Sequence, residues 1–566
     1  MWTYRAPLRD MRFVLEHVLQ APESWAHCAD WHDLDLDTVE QVLREADRHA
    51  RDALLPLNAA GDRAGCRLER PVDGGPTTVH TPPGYREAYA AFVEAGWPAL
   101  PCAPEWGGQG LPLVVDAAVR EMLVACNHGW VMYPDLLHGA YETLAAHGSD
   151  ELKARHLEDI ATGRTLAAMA LTEPGAGTDL GVLRTRAEAA TDGSLRIHGQ
   201  KIFISGADHD LTQQVVHLVL CRLGSDAPPG TKGITLALVP KWLPDGTRNA
   251  WQVDSLEHKM GIHGSATCAV RYEGATGWIV GEPHRGLAAM FLMMNSARLH
   301  VGLQGLGHQE IAVQNARRYA AERVQMGRPI EQHAAVRHLL LRAEAMVWAQ
   351  RVIAYRAARA IDEAHHHADA DARRSAGAMA ALLTPIVKAF CTHHGFHSAV
   401  LAQQVYGGYG YTAEFGIEQT VRDARIAMVY EGTNEVQAID LVQRKLLADG
   451  GAALAALLDE CAEAAHGAPA EFAEPLAREI AAARHAAQAV LAAPAVALEV
   501  ADDVLHGLAH TLVAWACCAG ARALEHLAAD AWSTATRERL RYGVRGLLPQ
   551  AAAHWARVEA TAAAAD

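Results

Sequence analysis

Met428-Val429-Tyr430-Glu431-Gly432-Thr433-Asn434-Glu435-Val436-Gln437 sets a carboxylate directly before a Gly-Thr break. Glycine beside a carboxylate lets the backbone turn sharply or come close to a ligand, which a Cβ resists. The charged run Arg422-Asp423-Ala424-Arg425 lies just upstream. Ile426, Ala427, Met428 and Val429 lead in, and a helix-like run from Ala438 to Leu447 leads out. Glu431 is therefore expected on a turn before a helix, with apolar surroundings on one side. Taken alone, the same pattern describes an acid that caps a helix.

Outward from this stretch, a helical pattern runs from about residue 286 to the end. Leu339, Ala343, Met346 and Ile353 fall on one helix face. Segments 296–325, 331–365, 375–405 and 434–448 make a four-helix set, with Pro385 expected to kink the third. After Asp449-Gly450-Gly451 an alanine-rich stretch also reads as helical, with breaks near Pro475, Pro494 and Pro549. Residues 166–285 differ. Ile234–Val239 and Gln214–Leu220 are short apolar, β-branched runs, Leu195–Ile204 holds two more candidate strands, and turn clusters separate them. Residues 1–165 read as helices and loops, with a helix over Val42–Leu55 stopping at Pro56 and others over 85–96 and 113–127. The expected class is α+β, mostly α. It comprises an N-terminal helical domain (1–165), a small β domain (166–285), a C-terminal four-helix bundle (286–448) and an appended helical domain (449–566).

A chain of 566 residues is too long for one core. A formal charge of −16 argues against nucleic acid or an anionic membrane surface as the main partner. No membrane insertion is expected, since no uninterrupted apolar run reaches the ~18 residues of a span. MWTYRAPLRDMRFVL has charges throughout, so no signal peptide is expected. Ten scattered cysteines fit reduced thiols in a cytoplasm. His365-His366-His367, and His393, His394 and His397 beside Cys391, lack the paired spacing of structural zinc sites. They read as solvated helix faces, and no metal is expected.

Met169-Ala170-Leu171-Thr172-Glu173-Pro174-Gly175-Ala176-Gly177-Thr178-Asp179 is the second informative stretch. Its glycines allow close backbone approach and its threonines offer hydroxyls to a polar ligand. It lacks the Gly-Lys-Ser/Thr ending of a P-loop, and no G-x-G-x-x-G heads a βαβ unit.

These two stretches, in a helical–β–helical order, resemble the acyl-CoA dehydrogenase family. Lys201-Ile202-Phe203-Ile204-Ser205-Gly206 is similar to that family's flavin-facing strand. Arg323-Val324-Gln325-Met326-Gly327-Arg328 resembles the loop that reaches a neighbouring subunit's flavin, and Gln404-Val405-Tyr406-Gly407-Gly408-Tyr409-Gly410-Tyr411 the segment at its adenine and pyrophosphate end. The resemblance covers roughly residues 40–448. YRAPLRDMRFVL, the run from His258 to Ser265 and the C-terminal extension resemble the branch of long acyl-CoA dehydrogenases that includes 3-methylmercaptopropionyl-CoA dehydrogenase.

The resemblance implies FAD, an acyl-CoA substrate and roles residue by residue. Glu431 would remove the α-proton, flavin N5 would accept the β-hydrogen as hydride, and backbone N–H donation would stabilise the enolate. Burial beside an acyl chain is expected to raise the Glu431 pKa. Leu171, Thr172, Phe203 and Ser205 would contact the flavin ring, Gly177 and Thr178 its pyrophosphate, and Thr433 would also face the cofactor. Arg323, Gln325, Gln404 and Gly408 would reach the adenine half of a cofactor held mainly by the neighbouring subunit, which implies a homodimer. Arg298, Tyr430 and Gly432 would border the substrate. Two positions depart from the family pattern, Glu435 for a frequent glutamine and Asn295 for a frequent acid. Electrons would pass to an electron-transfer flavoprotein. An acyl-CoA oxidase using oxygen shares these residues. A DNA-associated flavoprotein of this fold would want a basic C-terminal surface, but residues 451–566 hold 8 Lys and Arg against 14 Asp and Glu.

Overall fold

The computed structural model describes residues 2–72 and 74–564. It is mostly helical with a β domain in the middle of the chain, as the sequence implies. The chain divides into two compact units. Unit 1 is Met1–Arg48, Pro112–Cys126 and Arg298–Asp566, and unit 2 is His49–Leu111 and Asn127–Ala297.

Unit 2 is built on a seven-stranded sheet: β1 (Thr165–Ala170), β2 (Arg186–Ala189), β3 (Leu195–Ser205), β4 (Gln214–Leu223), β5 (Ile234–Pro240), β6 (Trp251–Leu256) and β7 (Thr267–Ile279). The order is β1-β4-β2-β3-β7-β5, β6 pairs with β7, and a further β4–β5 pairing closes the sheet on itself. Leu195–Ile204 is one strand rather than two. Its register against β7 slips at Ile197/His198 and again at Lys201/Ile204, so bulges produce the irregular alternation that reads as a break. Phe203, at the second slip, has a left-handed backbone (φ +59°) and is 60% exposed. A short hairpin, 67–69 with 78–80, was not evident from the sequence.

The helices used below are α1 (Leu113–Val131), α2 (Gly286–Glu322), α3 (Ala334–His366), α4 (Ala370–Tyr406), α5 (Asn434–Ile439), α6 (Ala501–Leu524) and α7 (Pro549–Ala563). Asp369 caps α4 by accepting from the Ala372 N–H at 2.8 Å, and α4 runs through Pro385. In unit 1, α2 and α4 cross almost backbone to backbone. A Cβ on Gly395 would lie 2.4 Å from the Gly305 carbonyl oxygen. Arg351 on α3 is fully buried and pairs with Glu121 and Glu310.

Three further expectations are corrected. Pro56 does not end a helix: Leu36–His49 passes through a π turn, Ala50–Leu54, and resumes as Leu55–Ala64 with Pro56 in its first turn. That position needs no intrahelical N–H. Pro475 lies inside the helix Ala470–Ala492 without breaking it. The breaks at Pro494 and Pro549 do occur, since a 3₁₀ turn starts at Pro494 and α7 at Pro549. His394 is buried and His393 half-buried, because α6 covers them: His393 lies 5.1 Å from His506 and His394 6.2 Å from His510, ring to ring. Only His397 of that group is exposed. Two helical stretches, Ala370–Tyr411 and Ala501–Leu524, are long and apolar enough to cross a membrane, yet 72% and 100% of their apolar windows are buried inside the protein. Among the described residues no cysteine forms a disulfide.

Candidate active site

In unit 1 the chain after the short helix Ile417–Ala424 passes through a 3₁₀ turn, Arg425–Met428, and enters α5. The residue that caps α5 is Thr433, whose Oγ1 accepts from the Val436 N–H at 3.4 Å. Glu431 is not the cap. It stands two residues earlier with φ +57°, and Gly432 follows at φ +84°. A left-handed residue with a Cβ is strained, and such strain collects at sites of function.

The turn is held from beneath. Gln437 Nε2 donates to the carbonyls of Glu431 (3.1 Å) and Gly432 (3.4 Å). Lys388 Nζ, on α4, donates to the Gly432 carbonyl at 2.7 Å and to Asn434 Oδ1 at 3.0 Å. Burial pulls the Lys388 ammonium down to about 7, with Glu431 and Glu435 acting against that pull and Arg298 adding to it. The Tyr430 hydroxyl donates to the Gln304 side chain. Arg298 is buried and its Nη1 donates to Asp440 Oδ2 at 3.2 Å. Arg298, Tyr430, Glu431, Gly432 and Thr433 thus share one region of unit 1, whose partly exposed centre is Glu431.

Unit 2 brings together the second group. Lys201 Nζ, inaccessible to solvent, donates to the Leu171 carbonyl and to Glu173 Oε1, each at 2.8 Å. Glu173 also accepts from the N–H groups of Arg184 (2.6 Å) and Thr185 (3.0 Å). Burial alone would raise the Glu173 carboxyl, but Lys201 and these N–H donors hold it below its ordinary range; on Lys201 burial outweighs the single carboxylate and its ammonium is lowered. The Ile202 N–H donates to the Thr172 carbonyl at 2.9 Å, which fastens the loop to β3 beside Phe203 and Ser205. Beyond Glu173 the loop is open: Gly177 and Thr178 are exposed, and a Cβ on Gly175 or Gly177 would meet nothing within 4 Å. An outward aromatic beside an open glycine loop fits a flat ring continued by a pyrophosphate.

A third group lies on unit 1. Arg323 and Gln325 are exposed at a tight hairpin, Val324–Gln325 with Arg328–Pro329. Arg323 lies 5.6 Å from the Tyr409 ring. Gln404 lies in the last turn of α4, and Gly408 lies exposed in the following 3₁₀ turn, Gly407–Tyr411. Among the described residues, no group of three or more His, Cys, Asp or Glu is placed to hold a metal ion.

Three family models match the chain: the acyl-CoA dehydrogenase N-terminal domain over residues 77–164, the middle domain over 168–275 and the C-terminal domain over 284–447. The chain belongs to the acyl-CoA dehydrogenase family. It is accordingly an oxidoreductase. A 3-methylmercaptopropionyl-CoA dehydrogenase from Ruegeria pomeroyi is 41% identical over 464 residues, 79% of this chain and 77% of that protein. Two solved structures share the fold across the C-terminal helices as well. Caenorhabditis elegans ACDH-11 in complex with C11-CoA has a TM-score of 0.78 and 19% identity, covering 96% of this chain and 92% of that one. An acyl-CoA dehydrogenase complexed with FAD from Bacillus anthracis has a TM-score of 0.76 and 20% identity, covering 93% and 89%.

Sequence reasoning missed Lys388, Asn434, Gln437, Glu173 and Lys201. Lys201 and Glu173 stood inside quoted motifs, and a lysine and a glutamate flanking two such stretches was the available signal. Lys388 had none, because its burial depends on how α4 packs.

Proposed function

We propose that this protein dehydrogenates an acyl-CoA thioester to a trans-2-enoyl-CoA, with Glu431 as the base that takes the α-proton. The supporting observation is the strained Glu431–Gly432 turn ahead of the true cap, Thr433. A cap needs no such conformation, whereas a base held at one place over a substrate does. FAD supplies the hydride acceptor for the β-hydrogen when bound. Leu171, Thr172, Phe203 and Ser205 would hold its ring, Gly177 and Thr178 its pyrophosphate, and Thr433 its substrate side. Arg323, Gln325, Gln404 and Gly408 of a second copy would hold the adenine half, so the working form is a homodimer. The Glu431 N–H would polarise the thioester oxygen as negative charge develops there. Arg298, Tyr430 and Gly432 would line the substrate side, with Arg298 kept in place by Asp440.

Electrons leave to an electron-transfer flavoprotein, and the setting is cytoplasmic fatty-acid β-oxidation. Because one relative is named for a short thioether acyl group, the substrate panel includes 3-methylmercaptopropionyl-CoA beside straight chains. The test is formation of 2-enoyl-CoA from this panel with an artificial acceptor, by wild type and E431Q. Loss of about 10³-fold in E431Q is expected for removal of a general base. An unchanged rate in E431Q would overturn the reading. Oxygen consumed in step with product would make the enzyme an oxidase.

A further inference from the structure

Lysine is almost never fully buried unless its charge has a partner. Lys388 is inaccessible to solvent, yet its two hydrogen-bond acceptors are neutral: the Gly432 carbonyl and the Asn434 side-chain oxygen. A cap for one carbonyl does not require an ammonium, and a buried neutral amide would avoid the desolvation cost. The charge therefore needs another reason, and the structure places it on the carbonyl of Gly432, the residue that follows Glu431.

We infer that Lys388 is a positioning residue for Glu431, holding the left-handed Glu431–Gly432 turn in the one geometry that presents the carboxylate, and biasing that carboxylate toward its ionised form. This rests on Glu431 being the base. Consecutive left-handed residues persist only where their surroundings over-determine them. Here the surroundings are Lys388 and Gln437 on the two carbonyls, reinforced one residue on. Asn434 Nδ2 donates to the Ala389 carbonyl at 3.1 Å, and Thr392 Oγ1 donates to Asn434 Oδ1 at 3.1 Å. Lys388, Ala389 and Thr392 are successive points on one face of α4, so the turn is fastened to the bundle core. The charged groups that act on Lys388 are Glu431, Glu435 and Arg298, the last paired with Asp440. Gln437 supplies the same kind of donor without a charge. The pair therefore separates the geometric part of the role from the electrostatic part.

The experiment compares K388M, K388R, Q437M and E431Q as holoenzymes. For each variant kcat, KM and the pH dependence of kcat/KM are measured, with calorimetric binding of an enoyl-CoA as a readout independent of turnover. K388M is expected to lose ten- to a hundredfold in kcat, the range of a base misplaced by about 1 Å. Its KM and enoyl-CoA affinity should stay within about twofold, and its acid limb should move to higher pH because a cation near the base is gone. K388R should recover the position of the acid limb. Q437M should slow kcat without moving the acid limb. If K388M keeps the wild-type kcat and acid limb while E431Q is inactive, the inference fails and the base assignment stands. If E431Q turns over normally, the base assignment itself fails. Should K388M not fold, Q437M decides: a wild-type kcat there overturns the geometric role, and a slow kcat with an unmoved acid limb supports it.

Discussion

At Gly432 a Cβ would meet Gln437 Nε2 at 2.9 Å and Val436 Cγ1 at 3.2 Å, in a backbone whose φ is +84°. The left-handed conformation costs a residue with a side chain about 1–2 kcal/mol, and Gln437 would have to give way as well. Gly432→Ala should therefore lower stability by about 1–2 kcal/mol in urea unfolding and cut kcat by at least tenfold, since displacing Gln437 frees the Glu431 carbonyl. Loss of stability with kcat intact would show that this turn is structural only. The need for a turn here is legible in the sequence, because Glu-Gly-Thr supplies an acid, a left-handed residue and a cap in order. Which residue caps is less so, as acids and threonines both suit that position. Lys388 is opaque at this level: on its own helix it is one cation in an apolar run, and only the packing of α4 buries it.

Among the elements, the loop from Leu171 to Thr178 stands on the Glu173–Lys201 pair. Removing one partner of a buried pair leaves an uncompensated charge, at a cost of about 3–5 kcal/mol. Glu173→Gln should show that loss in chemical unfolding, and with it weaker flavin retention. The pH dependence follows from the lowered carboxyl. Its stabilisation is present above the unfolded-state value of about 4.5 and is lost as pH falls through the folded value. Unfolding midpoints of Glu173→Gln should therefore fall less steeply below pH 4.5 than those of wild type; equal slopes would contradict the pair's role. Helices with a clear apolar face, such as 334–366, were legible within a few residues. Pro56 misled because it stands in a first helical turn, and Pro475 because a proline inside a helix can forfeit one hydrogen bond without ending it. Leu195–Ser205 misled because two bulges disrupt the alternation on which a strand is recognised.

Over the whole molecule, the C-terminal helices bring histidines together that are far apart in sequence. His506 lies 5.3 Å from His554 and 5.1 Å from His393, ring to ring. Burial lowers His506 to about 3 and His393 and His510 to about 4. These groups are neutral in the folded protein and titrate near 6.5 when unfolded. The unfolded state thus binds more protons in this window, so stability is retained above pH 6.5 and drains away toward pH 4. A urea midpoint that falls across this window, and falls less in His510→Leu, is the expected outcome; a flat profile would contradict it. The same helices cover α3 so closely that a Cβ on Gly520 would lie 2.4 Å from Trp348. Ending the chain near residue 450 should expose that face and change the oligomeric state in light scattering. An unchanged state would contradict a covering role. The presence of these helices was legible from composition, but not what they cover, since alanine-rich faces carry little pattern. The proposed role of Glu431 as the base can be checked by anaerobic mixing of the flavin-loaded enzyme with its best acyl-CoA while flavin absorbance is followed. Wild type should bleach within one turnover and Glu431→Gln should not on that timescale; equal bleaching by the two would show that Glu431 is not the base.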